Sequence, residues 1–186
     1  MDDRLLDKLA EPFNLKLPEY TSMHEMIEEV LPAVRRFSEP VLDADDSPLF
    51  RNNWVRMTDN VGDNVVHLHT FQSNGNIRVA NDGELDSYVY ELVNSKRIII
   101  GESLHRGSFL YELAFMDNDF LILKRHGNDA NFENKYLFYA VEHIGTRLTW
   151  DEALEKIVAK YRNSEMPWGL VVVVLLVMVA LLLYFS

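Results

Sequence analysis

The feature that most restricts what this chain can fold into is a long apolar run without charges over 166–186. Between Leu170 and Leu183 the run contains only Leu, Val, Met and Ala. A helix of about 20 such residues can cross the roughly 30 Å hydrocarbon core of a bilayer. Aromatic residues near both ends of the run are typical of membrane interfaces. The sequence therefore predicts a C-terminal transmembrane anchor, marked by Trp168, Leu170, Val177, Leu183 and Tyr184.

Charges near this run predict its orientation. Lys156, Lys160 and Arg162 precede it, and no charged residue follows it. Because basic residues stay on the cytosolic side, the sequence predicts a single-pass, tail-anchored protein with its N-terminal domain in the cytosol. Between Leu170 and Leu183 the run has no polar residue that could line a pore, which favours an anchor over a channel. The chain has no cysteine, which agrees with a reducing compartment.

The net charge of −11 limits the partners that this chain can bind. No basic stripe is present to neutralise the phosphates of a nucleic acid, so we expect no nucleic-acid partner. An acidic domain is also repelled by an anionic leaflet. Contact with the lipid bilayer is therefore expected through the C-terminal helix alone.

Helices are predicted on both sides of a central region. Residues 1–49 read as an N-terminal helical layer, with one short helix over Asp2–Leu9. A second helix should begin after Ser22, where Ser22 and Glu25 form a capping box, and Pro32 predicts a bend or an early end. Residues 149–165 predict a juxtamembrane helix that leads into the anchor.

The region 50–148 has the pattern of a β-sheet domain. Short runs rich in Val, Ile, Tyr and Phe alternate with turn residues, and the short connections favour antiparallel neighbours. The predicted strands cover Trp54–Thr58, Val65–Phe71, Asn76–Ala80, Ser87–Val93, Arg97–Gly101, Ser108–Phe115, Asp119–Arg125 and Lys135–Val141. The expected fold class is thus α+β and mainly β. It is an antiparallel eight-strand meander that forms a small barrel, with N-terminal helices and a C-terminal helix before the transmembrane one.

The early Trp54 and the recurrent hairpins resemble those of lipocalin-like meander domains. Asn52 stands where those domains have a glycine two residues before the tryptophan. The resemblance implies a barrel fold and transfers no residue roles.

Several predicted strands are apolar on both faces, although a strand with one face in water should alternate. The runs Ile98–Ile100, Phe120–Leu123 and Tyr136–Val141 have this character. Their outer faces must therefore be covered, either by the helices of the chain itself or by another protein.

Motifs that would indicate catalysis are missing from the sequence. It has no Gly-x-Gly phosphate loop, no Gly-x-Ser-x-Gly elbow and no cysteine nucleophile. His67 and His69 share a strand face, but no third metal ligand stands at a recognisable spacing. We expect no enzyme activity, no cofactor and no metal site.

Two functions agree with these observations. The first is a non-catalytic binding or scaffold module, an accessory subunit of a membrane-associated complex that binds a protein partner or forms a homo-oligomer. The alternative is a ligand-sensing barrel for a nucleotide or a lipid, a plan that resembles some membrane-tethered bacterial defence effectors. In that case the candidate ligand-binding residues are His67, His69, Tyr88, Tyr90, Arg97 and Lys124.

Overall fold

The computed structural model describes residues 20–44, 46–60, 65–104, 106–127 and 135–162. Within these ranges eight antiparallel strands form a closed barrel, in which each strand pairs with the next and the last pairs with the first. The strands are β1 Asn53–Met57, β2 His67–Phe71, β3 Asn76–Asn81, β4 Glu84–Asn94, β5 Arg97–Ser103, β6 Arg106–Met116, β7 Phe120–Arg125 and β8 Tyr136–Val141. The predicted eight-strand antiparallel barrel is confirmed.

The β3–β4 turn illustrates how local sequence sets the register. Asn81 pairs with Glu84, so that Asp82 and Gly83 alone make the turn. Their φ angles are 44° and 92°. A two-residue hairpin turn of type I′ requires positive φ at both positions, which aspartate tolerates and glycine adopts freely.

Helices pack against one side and one end of this barrel. They are α1 Met23–Val34, α2 Pro48–Arg51, α3 Glu142–Gly145 and α4 Trp150–Arg162, with a 3₁₀ turn at Arg35–Phe37. Ser22 caps α1 as predicted, because its Oγ accepts a hydrogen bond of 3.3 Å from the Glu25 backbone N–H. At the start of α4, the Thr149 N–H donates to Glu152 Oε2 at 2.9 Å. Helix α1 continues past Pro32 to Val34, so the proline does not end it at once.

The described residues contain two hydrophobic cores. One fills the barrel and includes Trp54, Phe71 and Tyr139. The other lies between the barrel wall and the helices, and includes Ile27 of α1, Ile157 of α4, and residues from β1, β7 and β8. Helices α1 and α4 thus cover the outer faces of β7 and β8, which explains why these strands are apolar on both sides.

One end of the barrel is closed by the segment before β1. Leu42 and Leu49 are fully buried and belong to the barrel core. The Trp54 indole N–H donates to the Leu49 carbonyl at 3.1 Å, and the Leu42 N–H donates to the Ser95 carbonyl at 2.7 Å. The domain boundary expected between residues 49 and 50 thus falls inside α2. Residues of this helix cover the closed end of the barrel.

Two predicted segments lie outside the described residues: the helix over Asp2–Leu9 and the anchor over 166–186. Within the described ranges, no helix is both long enough and apolar enough to cross a membrane.

Candidate functional site

The end of the barrel opposite the closed end carries polar side chains on its inner wall. Arg56 follows Trp54 by two residues on β1, so both face the barrel interior. The residues between and after them, Val55 and Met57, belong to the core under the helices. We call this end the basic end and define it by Arg56, His67, His69, Asn81, Asp86, Phe109, Tyr111 and Arg125.

The charge of Arg56 acts on several groups of the barrel interior. Burial and, to a smaller extent, the nearby Arg56 and His67 together lower the pKa of His69 to about 3. Burial raises the pKa of Tyr139 and of Tyr111, and Arg56 opposes both shifts. The side chain of Arg56 is exposed to solvent. No other described residue forms a hydrogen bond or an ion pair with its guanidinium group.

His69 is a neutral imidazole inside the wall. Its Nδ1 atom is buried and has no hydrogen-bond partner among the described residues. The ring meets Tyr139 edge to face, with 5.3 Å between the ring centroids. Leaving a buried polar atom unsatisfied costs about 1–3 kcal/mol, so such an atom in a native fold calls for an explanation such as a bound molecule.

Arg125 supplies the second positive charge of the basic end. It pairs in register with Tyr111, which belongs to the barrel core, so both face inward. The Arg125 guanidinium carbon lies 3.7 Å from the centroid of the Phe109 ring. This cation–π contact holds the guanidinium in place. Phe109 is itself 43% exposed, which leaves part of this surface open to solvent.

A hydrogen-bonded chain crosses from β2 to β4 at the same end. Asn81 Nδ2 donates to Asp86 Oδ2 at 3.1 Å. Because a carboxylate only accepts, this contact turns the Asn81 Oδ1 atom toward His67. The distance from His67 Nδ1 to Asn81 Oδ1 is 2.7 Å, so His67 Nδ1 carries the proton of this bond. The chain fixes the orientation of all three side chains.

Below the basic end the barrel is filled by aromatic rings. The centroid distances are 6.2 Å from Tyr139 to Phe71, 5.7 Å from Phe71 to Tyr90 and 6.4 Å from Tyr90 to Phe50. Most of these rings are buried. These aromatic rings therefore separate the basic end from the closed end of the barrel.

The structure separates the six predicted ligand-binding residues into three groups. His67 and His69 lie in the basic end. Tyr88 and Tyr90 also face inward, but the Tyr90 hydroxyl donates to the Gln72 carbonyl at 2.6 Å, toward the closed end. The other two, Arg97 and Lys124, both pair in register with Glu112 on the outer wall. They are therefore not next to the histidines.

Two functional candidates, Arg56 and Arg125, were missed by the sequence interpretation. A signal for Arg56 exists in the sequence, because it stands two residues after Trp54 and a strand alternates with period two. Arg125 ends a run that is apolar on both faces, so alternation alone does not assign its direction.

A cleft of about 620 Å³ lies between α1 and the barrel wall, lined in part by Glu28, Asp59 and Tyr136. Its acids already have partners. Asp59 Oδ2 accepts from the Met23 backbone N–H at 2.8 Å, and Glu28 is hydrogen-bonded to Lys135. No group of three or more potential metal ligands occurs among the described residues. The basic end thus remains the better candidate site.

Comparison of the chain with protein-family models, with curated proteins and with solved structures finds no match. The resemblance to lipocalin-like domains therefore stays at the level of the strand order.

Proposed function

We propose that this protein is a non-catalytic binding module, tethered to a membrane by the apolar segment 166–186, whose barrel binds a small anionic ligand at its basic end. The observation that carries the proposal is Arg56. It faces the barrel interior, is exposed to solvent, and has no anionic partner among the described residues. Its charge nevertheless acts on buried groups such as His69 and Tyr139.

The surroundings of Arg56 support an anion rather than a neutral ligand. Arg125 adds a second guanidinium, held by its contact with Phe109. Guanidinium groups donate several hydrogen bonds in a fixed plane that matches carboxylate and phosphate oxygens. These two arginines place two positive charges at the basic end although the chain as a whole is acidic.

A binding role without catalysis is also part of this proposal. The basic end contains imidazole, amide and carboxylate groups. The side chains of His67, Asn81 and Asp86 are hydrogen-bonded to one another in a row. Its residue types include no serine, threonine or cysteine that would serve as a nucleophile.

Titration of the full chain in mild detergent with inorganic phosphate and with nucleotides tests the proposal. A ligand at a hundredfold excess over its Kd stabilises the fold by about 2.7 kcal/mol, which raises the melting temperature. Arg56→Gln should abolish the shift. The matched control is Arg78→Gln, which removes the same charge from an exposed position on β3 whose neighbours Ile77 and Val79 face inward. Equal shifts in both variants would refute the site.

A protein partner is the second candidate function, and the outer face of β4–β6 favours it. Ile99 and Leu110 pair in register on this face and are partly exposed, and Val93 of β4 is 50% exposed. These three side chains belong neither to the core under the helices nor to the barrel core. Leu110→Glu should leave the melting temperature unchanged and abolish a homo-oligomer or a stoichiometric complex. Light scattering of the wild type and of Leu110→Glu in the same detergent measures the mass of each assembly and tests this candidate function.

A further inference from the structure

We infer that the ligand of the basic end is a phosphate ester that also carries N–H donors, of the size and polarity of a mononucleotide. The inference rests on the proposed function of that end and adds the class of ligand. It comes from the arrangement of charges around the wall, which is positive on one side and negative on the other.

The positive side is formed by β1 and β7, through Arg56 and Arg125. The negative side is formed by β4, through Asp86. Other polar side chains lie between the two sides. Since Val55 pairs with Leu68 in the antiparallel β1–β2 pair, Arg56 lies beside His67. From there the side chains of His67, Asn81 and Asp86 continue the row around the wall.

Hydrogen bonds within this row leave acceptors at its far end. Asp86 Oδ2 accepts from Asn81, and no described residue donates a hydrogen bond to the other oxygen of the carboxylate. The Asp86 side chain is exposed, so a ligand can contact it without a rearrangement of the protein. A carboxylate of this kind accepts hydrogen bonds from paired N–H groups, such as those on the edge of a guanine base.

The spacing of the two ends sets the length of the ligand. Neighbouring strands lie about 4.8 Å apart, so three spacings from β1 to β4 span roughly 14 Å along the wall, and a chord across the barrel is shorter. A mononucleotide can place its phosphate on the arginines and its base near Asp86. A phosphoethanolamine headgroup has the same two chemical ends but is too short to reach both.

The test measures the affinity of the full chain in detergent micelles for four probes by calorimetry: GMP, guanosine, inorganic phosphate and glycerophosphoethanolamine. We expect GMP to bind at least tenfold more tightly than each of the other three. Tighter binding of glycerophosphoethanolamine than of GMP would overturn the inference in favour of a lipid headgroup.

Two variants assign the ends of the ligand. Asp86→Asn should weaken GMP binding at least tenfold and change phosphate binding less than twofold. Arg56→Gln should weaken both. The control Asp82→Asn removes a carboxylate from the same hairpin, at a turn position with φ of 44° that asparagine tolerates, and should change neither affinity.

The outcomes separate the two proposals. If Arg56→Gln abolishes binding of both probes while Asp86→Asn changes neither, the anion site stands and the inference is wrong. If Asp86→Asn weakens both probes equally, the carboxylate acts through the fold and the inference is again wrong. If the wild-type protein binds none of the four probes, both proposals fail.

Discussion

Lys160 of α4 and Asp117 of the β6–β7 turn form an ion pair in which Nζ lies 2.8 Å from Oδ2. The same Nζ is 2.7 Å from Oδ2 of Asp119, and the Tyr161 hydroxyl also donates to Asp117. Asp117 is only 6% exposed, and its Oδ1 accepts the backbone N–H groups of Asp119 and Phe120. The cluster thus joins the last turn of α4 to the barrel. Lys160 lies two residues before 162, where the described part of the chain ends.

Lys160→Met should destabilise the fold by about 1–2 kcal/mol, because it leaves the nearly buried Asp117 carboxylate without its cation. The loss stays moderate because Lys160 itself is partly exposed and screened by water. Chemical denaturation of the full chain in detergent measures it. Lys156→Met is the control: this lysine is exposed on the same helix, and its loss should stay within about 0.5 kcal/mol. Similar losses for both variants would contradict the role of the cluster.

Leu121→Ala and Ile122→Ala should each cost about 2–5 kcal/mol, since each leaves a cavity in a packed core. Both side chains are fully buried, Leu121 in the barrel and Ile122 under the helices. Denaturation curves of the two variants provide the measurement. If Ile122→Ala lost less than about 0.5 kcal/mol, the helices would not cover β7 in solution and a partner would have to cover it.

The barrel could be predicted because its signals are local. Alternation, turn residues such as Asp82-Gly83, and the capping box of Ser22 and Glu25 each depend on a few neighbouring residues. What covers β7 and β8 could not be predicted, because apolar outer faces bind a helix of the same chain as readily as another protein. That α1 and α4 cover these outer faces is known only from the tertiary structure.

The candidate site was predicted only in part, and for a similar reason. His67 and His69 lie on a strand whose two faces differ, so they could be grouped. Arg97 precedes three isoleucines, and Lys124 follows an equally apolar run, so neither strand reveals which face turns inward. The register with Glu112 decides that both face outward, and register depends on the whole barrel.

The anchor prediction can be tested apart from the fold. Val177→Arg places a charge near the middle of the segment 166–186 and should cost about 2.5–3.5 kcal/mol of insertion free energy. We expect the variant to move from the pellet to the supernatant on alkaline carbonate extraction, whereas Val177→Leu should remain in the pellet. Retention of the arginine variant would mean that another part of the chain binds the membrane.

His69 should make the stability of the fold depend on pH. An unfolded histidine has a pKa of about 6.5, whereas burial holds the pKa of His69 in the folded protein at about 3. Between these values the unfolded state binds more protons, so the free energy of unfolding falls as the pH falls. The contribution of His69 is complete above about pH 6.5 and is lost progressively toward pH 3.

His69→Phe should therefore flatten the acid side of the stability curve by about 1–3 kcal/mol between pH 6.5 and pH 4. At neutral pH the variant should be as stable as the wild type or more so, because the unsatisfied Nδ1 atom is gone while the ring still packs against Tyr139. Carboxylates also titrate in this range, so the measured quantity is the difference between the two curves. His143→Phe, at an exposed position of α3, controls for the loss of any histidine. If it flattens the curve as much as His69→Phe does, burial of His69 is not the cause.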